Sequence, residues 1–153
     1  MNDSNIKERT NNAIGNVFAV VGMAVAIVLQ MVYFHFLGLT NWIDGIVPGI
    51  IVGLCILLGF KLGKGTSGKS FPTFLTLLAV IAVILGFSLG VTFLIYNMGG
   101  LAMGEAFLLF FDGYLFADLQ GTTLYHSQGI IDFGIAMGVA ILIVCGKHMY
   151  NRA

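Results

Sequence analysis

The stretch GKGTSGKS, at positions 63–70, matches the pattern G-x-x-x-x-G-K-[ST] with which P-loop proteins hold nucleotide phosphates. In such a loop the backbone N–H groups surround the phosphates, the lysine contacts them, and the serine hydroxyl binds Mg²⁺. The loop needs a strand before it, a helix N-terminus after it and a second acidic ligand for the metal. The motif therefore predicts nucleotide binding only if its surroundings supply these parts.

Polar residues between positions 105 and 132 form a second candidate group. Carboxylate and imidazole groups of this kind could hold an outward-facing cation, or His126 and an aspartate could act as an acid–base pair. The spacing lacks a metal-ligand motif such as H-E-x-x-H, so it favours a solvated acidic segment instead. The sequence leaves a metal open and predicts no cofactor. The residues are Glu105, Asp112, Asp118, His126 and Asp132.

The composition shows what solvent must surround these residues. Of the 153 residues, 58% are hydrophobic and only 9% are charged, and the mean hydropathy is +0.98. A soluble domain devotes roughly a quarter of its residues to charge. The chain is therefore predicted to be an integral membrane protein with lipid as its main solvent.

Four apolar stretches are candidates to span the bilayer, which requires about 20 helical residues. We predict an all-α, polytopic fold with four transmembrane helices, without a cleaved signal peptide. The domain organisation is a polar N-terminal arm at 1–12, one four-helix membrane domain at 13–146 that includes an outer segment at 98–129, and a tail at 147–153. The predicted spans are 13–39, 45–60, 71–97 and 130–146.

The basic residues predict the orientation. All seven lie before the first span, between the second and third spans, or after the fourth span, whereas the other two connections contain none. Positive charge in short loops resists translocation. Both termini and the 61–70 connection are therefore predicted to be cytoplasmic, in the cell membrane. The basic residues are Lys7, Arg9, Lys61, Lys64, Lys69, Lys147 and Arg152.

These spans change the interpretation of GKGTSGKS. The motif lies in a short connection between two apolar helices, and no soluble part of the chain could supply a sheet or an acidic magnesium ligand. Its glycines suit a tight return, and Ser70 with Pro72 suits a helix start. We therefore predict a basic turn that meets lipid headgroup phosphates and binds no ATP. Nucleic acid is not a predicted partner either.

From VPGIIVGLCILLGFKLGKGTSGKSFPTFLTLLAVIAVILGFSLG onward, the chain resembles small uncharacterised bacterial four-helix integral membrane proteins. The resemblance lies in a glycine-spaced second helix, a short Gly/Lys turn, an apolar third helix that ends in Leu-Gly, and a last helix opened by Ile-Asp. Some of these proteins carry a zinc ribbon ahead of the membrane part, but this chain has no CxxC pair. The resemblance implies the four-helix fold and no activity.

Glycines repeat every four residues in three of the spans. This spacing places them on one helix face, where the missing side chain lets another backbone approach closely. We predict that these faces carry helix packing, within the chain, with a second copy or with another membrane protein. The residues are Gly45, Gly49, Gly53, Gly86, Gly90, Gly134 and Gly138.

Other polar positions support smaller predictions. The segment 101–119 should be a helix that lies in the outer interface or re-enters the membrane, because a full crossing would reverse the last span. Gln30, deep in the first span, should bond to a neighbouring helix. His35 should lie at headgroup level or bond between helices, with a proton-carrying role as the alternative. Cys55 and Cys145 should remain thiols.

Three classes of function remain. The sequence favours an interaction, structural or regulatory subunit without its own catalysis, because that class needs only packing faces. The first alternative is an oligomeric channel or small-solute transporter. The second is a membrane enzyme with an outward-facing site around Asp118, His126 and Asp132.

The predicted orientation can be tested by labelling. Single cysteines from Thr66→Cys and Thr122→Cys, in a background without the native cysteines, should react from opposite sides of the membrane. Only Thr122→Cys should react with an impermeant reagent in intact cells. Reaction of Thr66→Cys under the same conditions would contradict the orientation.

Overall fold

The protein is a bundle of helices in the computed structural model, which describes residues 3–37, 43–65, 71–110 and 123–150. The described part contains five helices and no strand. They are α1 (Asp3–Leu37), α2 (Ile43–Leu62), α3 (Phe71–Gly99), α4 (Met103–Leu109) and α5 (Thr123–Tyr150).

Four of these helices are long and apolar enough to cross a membrane, which confirms the predicted fold class. The apolar stretches lie close to the predicted spans. The polar residues from Asp3 onward continue α1 beyond its apolar part as helix. The stretches are Asn11–Leu37, Asp44–Leu62, Thr73–Asn97 and Gly129–Gly146.

The four long helices form a closed ring. Helix α1 packs against α2 and α3, and both of these pack against α5. Within the described residues α1 and α5 do not contact each other, so they occupy opposite corners, while α2 and α3 also meet across the centre. Every long helix therefore has two neighbours in the ring.

Contacts between the helices fix their directions. Tyr33, near the end of α1, bonds to Asp44 at the start of α2, so these helices are antiparallel. Gln30 of α1 bonds to Ala82 in the middle of α3. Phe34, one turn after Gln30 in α1, lies against Gly90, which comes later in α3. The two helices are therefore parallel. Helix α2 reaches the bundle end at which α1 begins.

The direction of α5 brings both chain ends to one end of the bundle. Gly45 lies against Asp132 and Gly53 against Ile143, so α2 and α5 run in parallel. We call the end that carries Lys7, Arg9, Lys61, Lys64 and Lys147 the basic end. The opposite end, with Asp44, α4 and Asp132, is the acidic end.

The glycine row of α2 faces α5 at very short distances. A Cβ atom at Gly45 would lie 2.5 Å from the carbonyl oxygen of Asp132, and one at Gly49 would lie 2.6 Å from that of Ala136. At Gly53 it would lie 2.7 Å from the Cβ of Ile143. Real Cβ atoms essentially never come this close, so any side chain here would force α2 and α5 apart.

The other glycine rows differ from one another. In α3, Gly86 leaves space for the Gln30 side chain, and a Cβ at Gly90 would lie 2.6 Å from the Phe34 ring. In α5, by contrast, no described residue lies within 4 Å of a Cβ at Gly134 or Gly138. The α5 row therefore faces away from the other described helices.

Helix α4 follows α3 after a turn at Gly100, which has φ +61°. It contacts α3 and no other described helix. Ala106 and Phe110 are buried, while Met103, Phe107 and Leu108 are exposed. This short helix covers the start of the predicted 101–119 segment, and positions 111–119 lie outside the described residues.

The contrast between the glycine rows yields a stability prediction. Gly49→Leu should lower the free energy of unfolding by at least about 1–3 kcal/mol, the usual cost of overpacking, because the new side chain meets α5 backbone. The measurement is thermal unfolding in mild detergent. Leu54→Ile, on the exposed face of the same helix, is the matched control. Leu57 is a poorer control because it packs partly against the core. Equal stability of Gly49→Leu and the control would contradict the prediction.

Candidate functional site

The first residues of GKGTSGKS form the C-terminal cap of α2. Lys64 has φ +58°; its N–H donates to the carbonyl of Lys61 at 2.9 Å, and the N–H of Gly65 donates to that of Phe60 at 3.0 Å. This pair of bonds is the Schellman arrangement that closes a helix. The N–H of Gly63 donates to the carbonyl of Gly59 at 3.1 Å.

This cap changes what the motif can do. In a P-loop the N–H groups point at phosphate, whereas those of residues 63–65 bond to carbonyls of their own helix. The segment also follows an apolar helix instead of a strand. Residues 66–70, including Lys69 and Ser70, lie outside the described part. The absence of ATP binding stays a prediction, supported by the bonds at residues 63–65.

The structure places the residues of the predicted acidic group differently. Glu105 is exposed, and its Oε2 accepts a hydrogen bond from the Ala102 N–H at 3.1 Å, at the start of α4. Asp112 and Asp118 lie outside the described residues. His126 belongs to α5, but its side chain is not described. Asp132 is buried in the bundle, with 2% of its surface exposed.

Asp132 shares the acidic end of the bundle interior with two residues from other helices. The Tyr33 hydroxyl donates a hydrogen bond to Asp44 Oδ1 at 2.9 Å. Asp132 lies nearby, because a Cβ at Gly45, the residue after Asp44, would lie 2.5 Å from the Asp132 carbonyl oxygen. Asp44 is 1% exposed. We call Tyr33, Asp44 and Asp132 the carboxylate site; it joins α1, α2 and α5.

The local sequence explains how the two aspartates come together. Asp44 lies in the first turn of α2, where the helix dipole favours a negative charge. Gly45, the next residue, lets α2 approach the backbone of Asp132. Pro48 is buried one turn later and has no N–H to donate to the Asp44 carbonyl. The close packing of α2 on α5 therefore also positions the carboxylate site.

The charge of this site is its main physical feature. Moving one carboxylate out of water costs several kcal/mol even after the protein relaxes. A helix N-terminus returns about 0.3–1 kcal/mol, and a hydrogen bond to a charged group about 1.5–3 kcal/mol. No Lys or Arg occurs between residues 10 and 60 or between residues 70 and 146. An opposite charge close to a buried carboxylate offsets part of the cost of removing it from water.

The ligand types at the site limit which ion fits. Within the described ranges, no three His, Cys, Asp or Glu side chains come together, as a site built entirely from side chains for a transition metal would require. Two carboxylates suit a hard cation such as Mg²⁺, which commonly uses one or two carboxylates and keeps several waters. Tyr33 orients the Asp44 carboxylate through its hydrogen bond, as outer ligands do in metal sites.

Gln30 and His35 do not belong to the carboxylate site. Gln30 Nε2 donates to the Ala82 carbonyl of α3 at 3.1 Å, which confirms the predicted bond to a neighbouring helix. Its Oε1 and the Thr92 hydroxyl have no partner among the described residues, but neither group ionises. His35 is exposed, with its ring centroid 5.0 Å from that of Phe36 and 5.7 Å from that of Phe93.

Cys55 and Cys145 are both free. Cys145 Sγ lies 3.3 Å from the Thr76 hydroxyl, which links α5 to α3 near the basic end.

Sequence reasoning found only part of the carboxylate site. The sequence predicts Asp132 as a candidate, but Asp44 falls just outside the predicted second span, 45–60, and the sequence predicts no role for Tyr33. The available signal was a carboxylate in the first turn of a glycine-rich apolar helix. Its partner Tyr33 lies 11 positions earlier in the chain, across a helix reversal.

Comparison of the chain with protein-family models, with curated proteins and with solved structures found no match in any of the three.

Proposed function

We propose that this protein binds a hard divalent cation between Asp44 and Asp132, and that it acts in the membrane as an ion-linked protein of the channel or transporter class. The observation that carries this proposal is the burial of two carboxylates from different helices, 1% and 2% exposed, beside the contact of Gly45 with the backbone of Asp132. A single divalent ion neutralises both charges, and carboxylate oxygens are the ligands it prefers.

The position of the site supports ion binding from one end. Asp44 is in the first turn of α2, and Tyr33 lies near the end of α1, so the site is close to the acidic end. Towards the basic end, the described interior is apolar, with residues such as Ala19, Val52 and Ile56 fully buried. The described residues of one chain therefore form no continuous polar path. Ion passage would require a second conformation or several copies.

The orientation belongs to the same proposal. With Lys and Arg concentrated at the basic end, both termini face the cytoplasm and the carboxylate site faces outward across the cell membrane. The ion would then enter from outside the cell. Labelling at Thr66 and Thr122 tests this orientation independently of ion binding.

The ion proposal predicts a cation-dependent rise in thermal stability. After treatment with EDTA, the purified protein should gain roughly 5–10 °C in Tm with saturating Mg²⁺ or Ca²⁺, since a ligand at 100 times its Kd stabilises by about 2.7 kcal/mol. Asp44→Asn and Asp132→Asn should each abolish the gain. Tyr33→Phe should reduce it because the Asp44 carboxylate loses its orienting bond.

Controls separate this effect from general charge screening. Glu105→Gln removes an exposed carboxylate at the same end and should keep the full gain. Na⁺ at equal ionic strength should give a much smaller rise. The ion proposal is wrong if the native protein shows no rise with either divalent ion, or if Glu105→Gln loses as much as Asp132→Asn. Uptake of the ion by liposomes that contain the native protein, but not Asp132→Asn, tests the transport class.

The second candidate is an interaction or structural subunit, and the outward glycine row of α5 favours it. Gly134 and Gly138 have no described neighbour, whereas Gly45 and Gly49 of α2 meet the α5 backbone. Leu142, one turn further on, is 71% exposed. Small residues four apart followed by a large one suit close contact with the same face of a second copy, about a two-fold axis.

This candidate predicts self-association through α5. Gly138→Leu should shift the protein from dimer to monomer in mild detergent, because a bulky residue prevents backbone contact. The shift is measured by light scattering, and Val28→Leu on the exposed face of α1 is the matched control. Unfolding of the monomer should be unchanged, since no described residue lies within 4 Å of a Cβ at Gly138. A monomeric native protein, or a dimer unaffected by Gly138→Leu, would exclude this interface.

A further inference from the structure

We propose that the cap of α2 is a contact site for anionic lipid headgroups, in which Lys64, together with Lys61, binds the headgroup phosphate. The proposed partner is an anionic bilayer surface at the basic end. A P-loop and this cap would both bind phosphate. In the cap, lysine side chains would contact it, whereas in a P-loop backbone N–H groups do so. This inference is independent of the cation site.

Lys64 occupies a backbone conformation that glycine adopts far more easily. Its φ of +58° lies in the left-handed region, where a side chain crowds the following carbonyl. Helices usually place glycine at this capping position, and here glycines stand immediately before and after the lysine. Glycine at position 64 would give a more stable fold. We therefore attribute the lysine to the proposed contact of its side chain with lipid headgroups.

The cap is held firmly against α1. A Cβ at Gly15 would lie 2.7 Å from the Cα of Gly65, and one at Gly63 would lie 2.7 Å from the Cα of Gly15. The backbones of α1 and the cap therefore touch directly. With residues 63–65 also bonded to the last turn of α2, the position of Lys64 is fixed relative to two membrane helices.

Charge complementarity identifies the partner. The Lys61 and Lys64 side chains are both exposed, and neither forms an ion pair with a described residue. Lys7, Arg9 and Lys147 lie in helices that also end or begin at the basic end. Clustered Lys and Arg next to a membrane helix attract anionic lipids. Lys61 lies in the last turn of the apolar helix α2, and Lys64 lies in its cap, so both are at the end of a candidate membrane span.

A free phosphate or nucleotide fits the same residues less well. Tight binding in a P-loop depends on backbone N–H groups that surround the phosphate. The N–H groups of residues 63–65 already bond to carbonyls of α2. Two lysine side chains can bind a lipid headgroup because the bilayer already keeps the headgroup in place. A small soluble anion is not held in this way, so two lysines alone bind it weakly.

Lys64→Gly separates the two effects of this residue. In neutral detergent the variant should have a Tm roughly 2–4 °C higher than the native protein, because glycine relieves the left-handed conformation. When phosphatidylglycerol is added to phosphatidylcholine nanodiscs, the native protein should gain stability. The Lys64→Gly gain should be smaller by roughly 2–4 °C, because one lysine contact with the headgroups is lost.

Further variants decide the cause. Lys64→Arg keeps the charge and should keep the lipid response, whereas Lys64→Asn tolerates the backbone but should lose it as glycine does. Lys61→Gln should also weaken the response. An equal phosphatidylglycerol response in the native protein, Lys64→Gly and Lys64→Asn would overturn the proposal. So would stabilisation by inorganic phosphate or Mg²⁺–ATP that Lys64→Gly abolishes, since that would identify a soluble ligand.

Discussion

The close backbone contact of α2 with both of its ring neighbours is the constraint on which this bundle depends. Helices in lipid gain little hydrophobic energy by touching each other, so their association relies on van der Waals contact at short distance. Helix α2 meets α5 through Gly45, Gly49 and Gly53, and it meets α1 through Gly59 and Gly63. Glycines on two faces make α2 the element around which the other helices are arranged.

The carboxylate site follows from this contact. Asp44 precedes the first of the α5-facing glycines, and Asp132 is the residue whose backbone that glycine meets. A larger residue at Gly45 would separate the aspartates as well as the helices. The bundle thus brings two carboxyl groups together at a close backbone contact between α2 and α5. Like charges destabilise a buried site. A bound cation would therefore stabilise the carboxylate site that the packing of α2 on α5 creates.

The sequence predicted the helices well because lipid imposes a simple rule on length and hydropathy. It also predicted that Gln30 would bond to another helix, since a buried amide in lipid needs a partner. It could not show which face of each helix turns inward. The glycine rows in α2 and α5 have the same spacing, yet one meets a backbone and the other faces outward. Only the positions of the neighbouring helices distinguish them.

Asp44 and GKGTSGKS show two ways in which a sequence pattern can mislead. Asp44 belongs to a candidate site without a motif, whereas GKGTSGKS matches a motif without its geometry at residues 63–65. Asp44 stands at the end of an apolar run, where a carboxylate usually meets water, and nothing local indicates that Tyr33 covers it. GKGTSGKS matches a specific motif, but its first residues bond to the helix that precedes them. In both cases the hydrogen-bond partners decide the chemistry. The chemistry of a carboxylate in the bundle interior depends on the groups that surround it, whereas backbone N–H groups that already have acceptors cannot surround a phosphate.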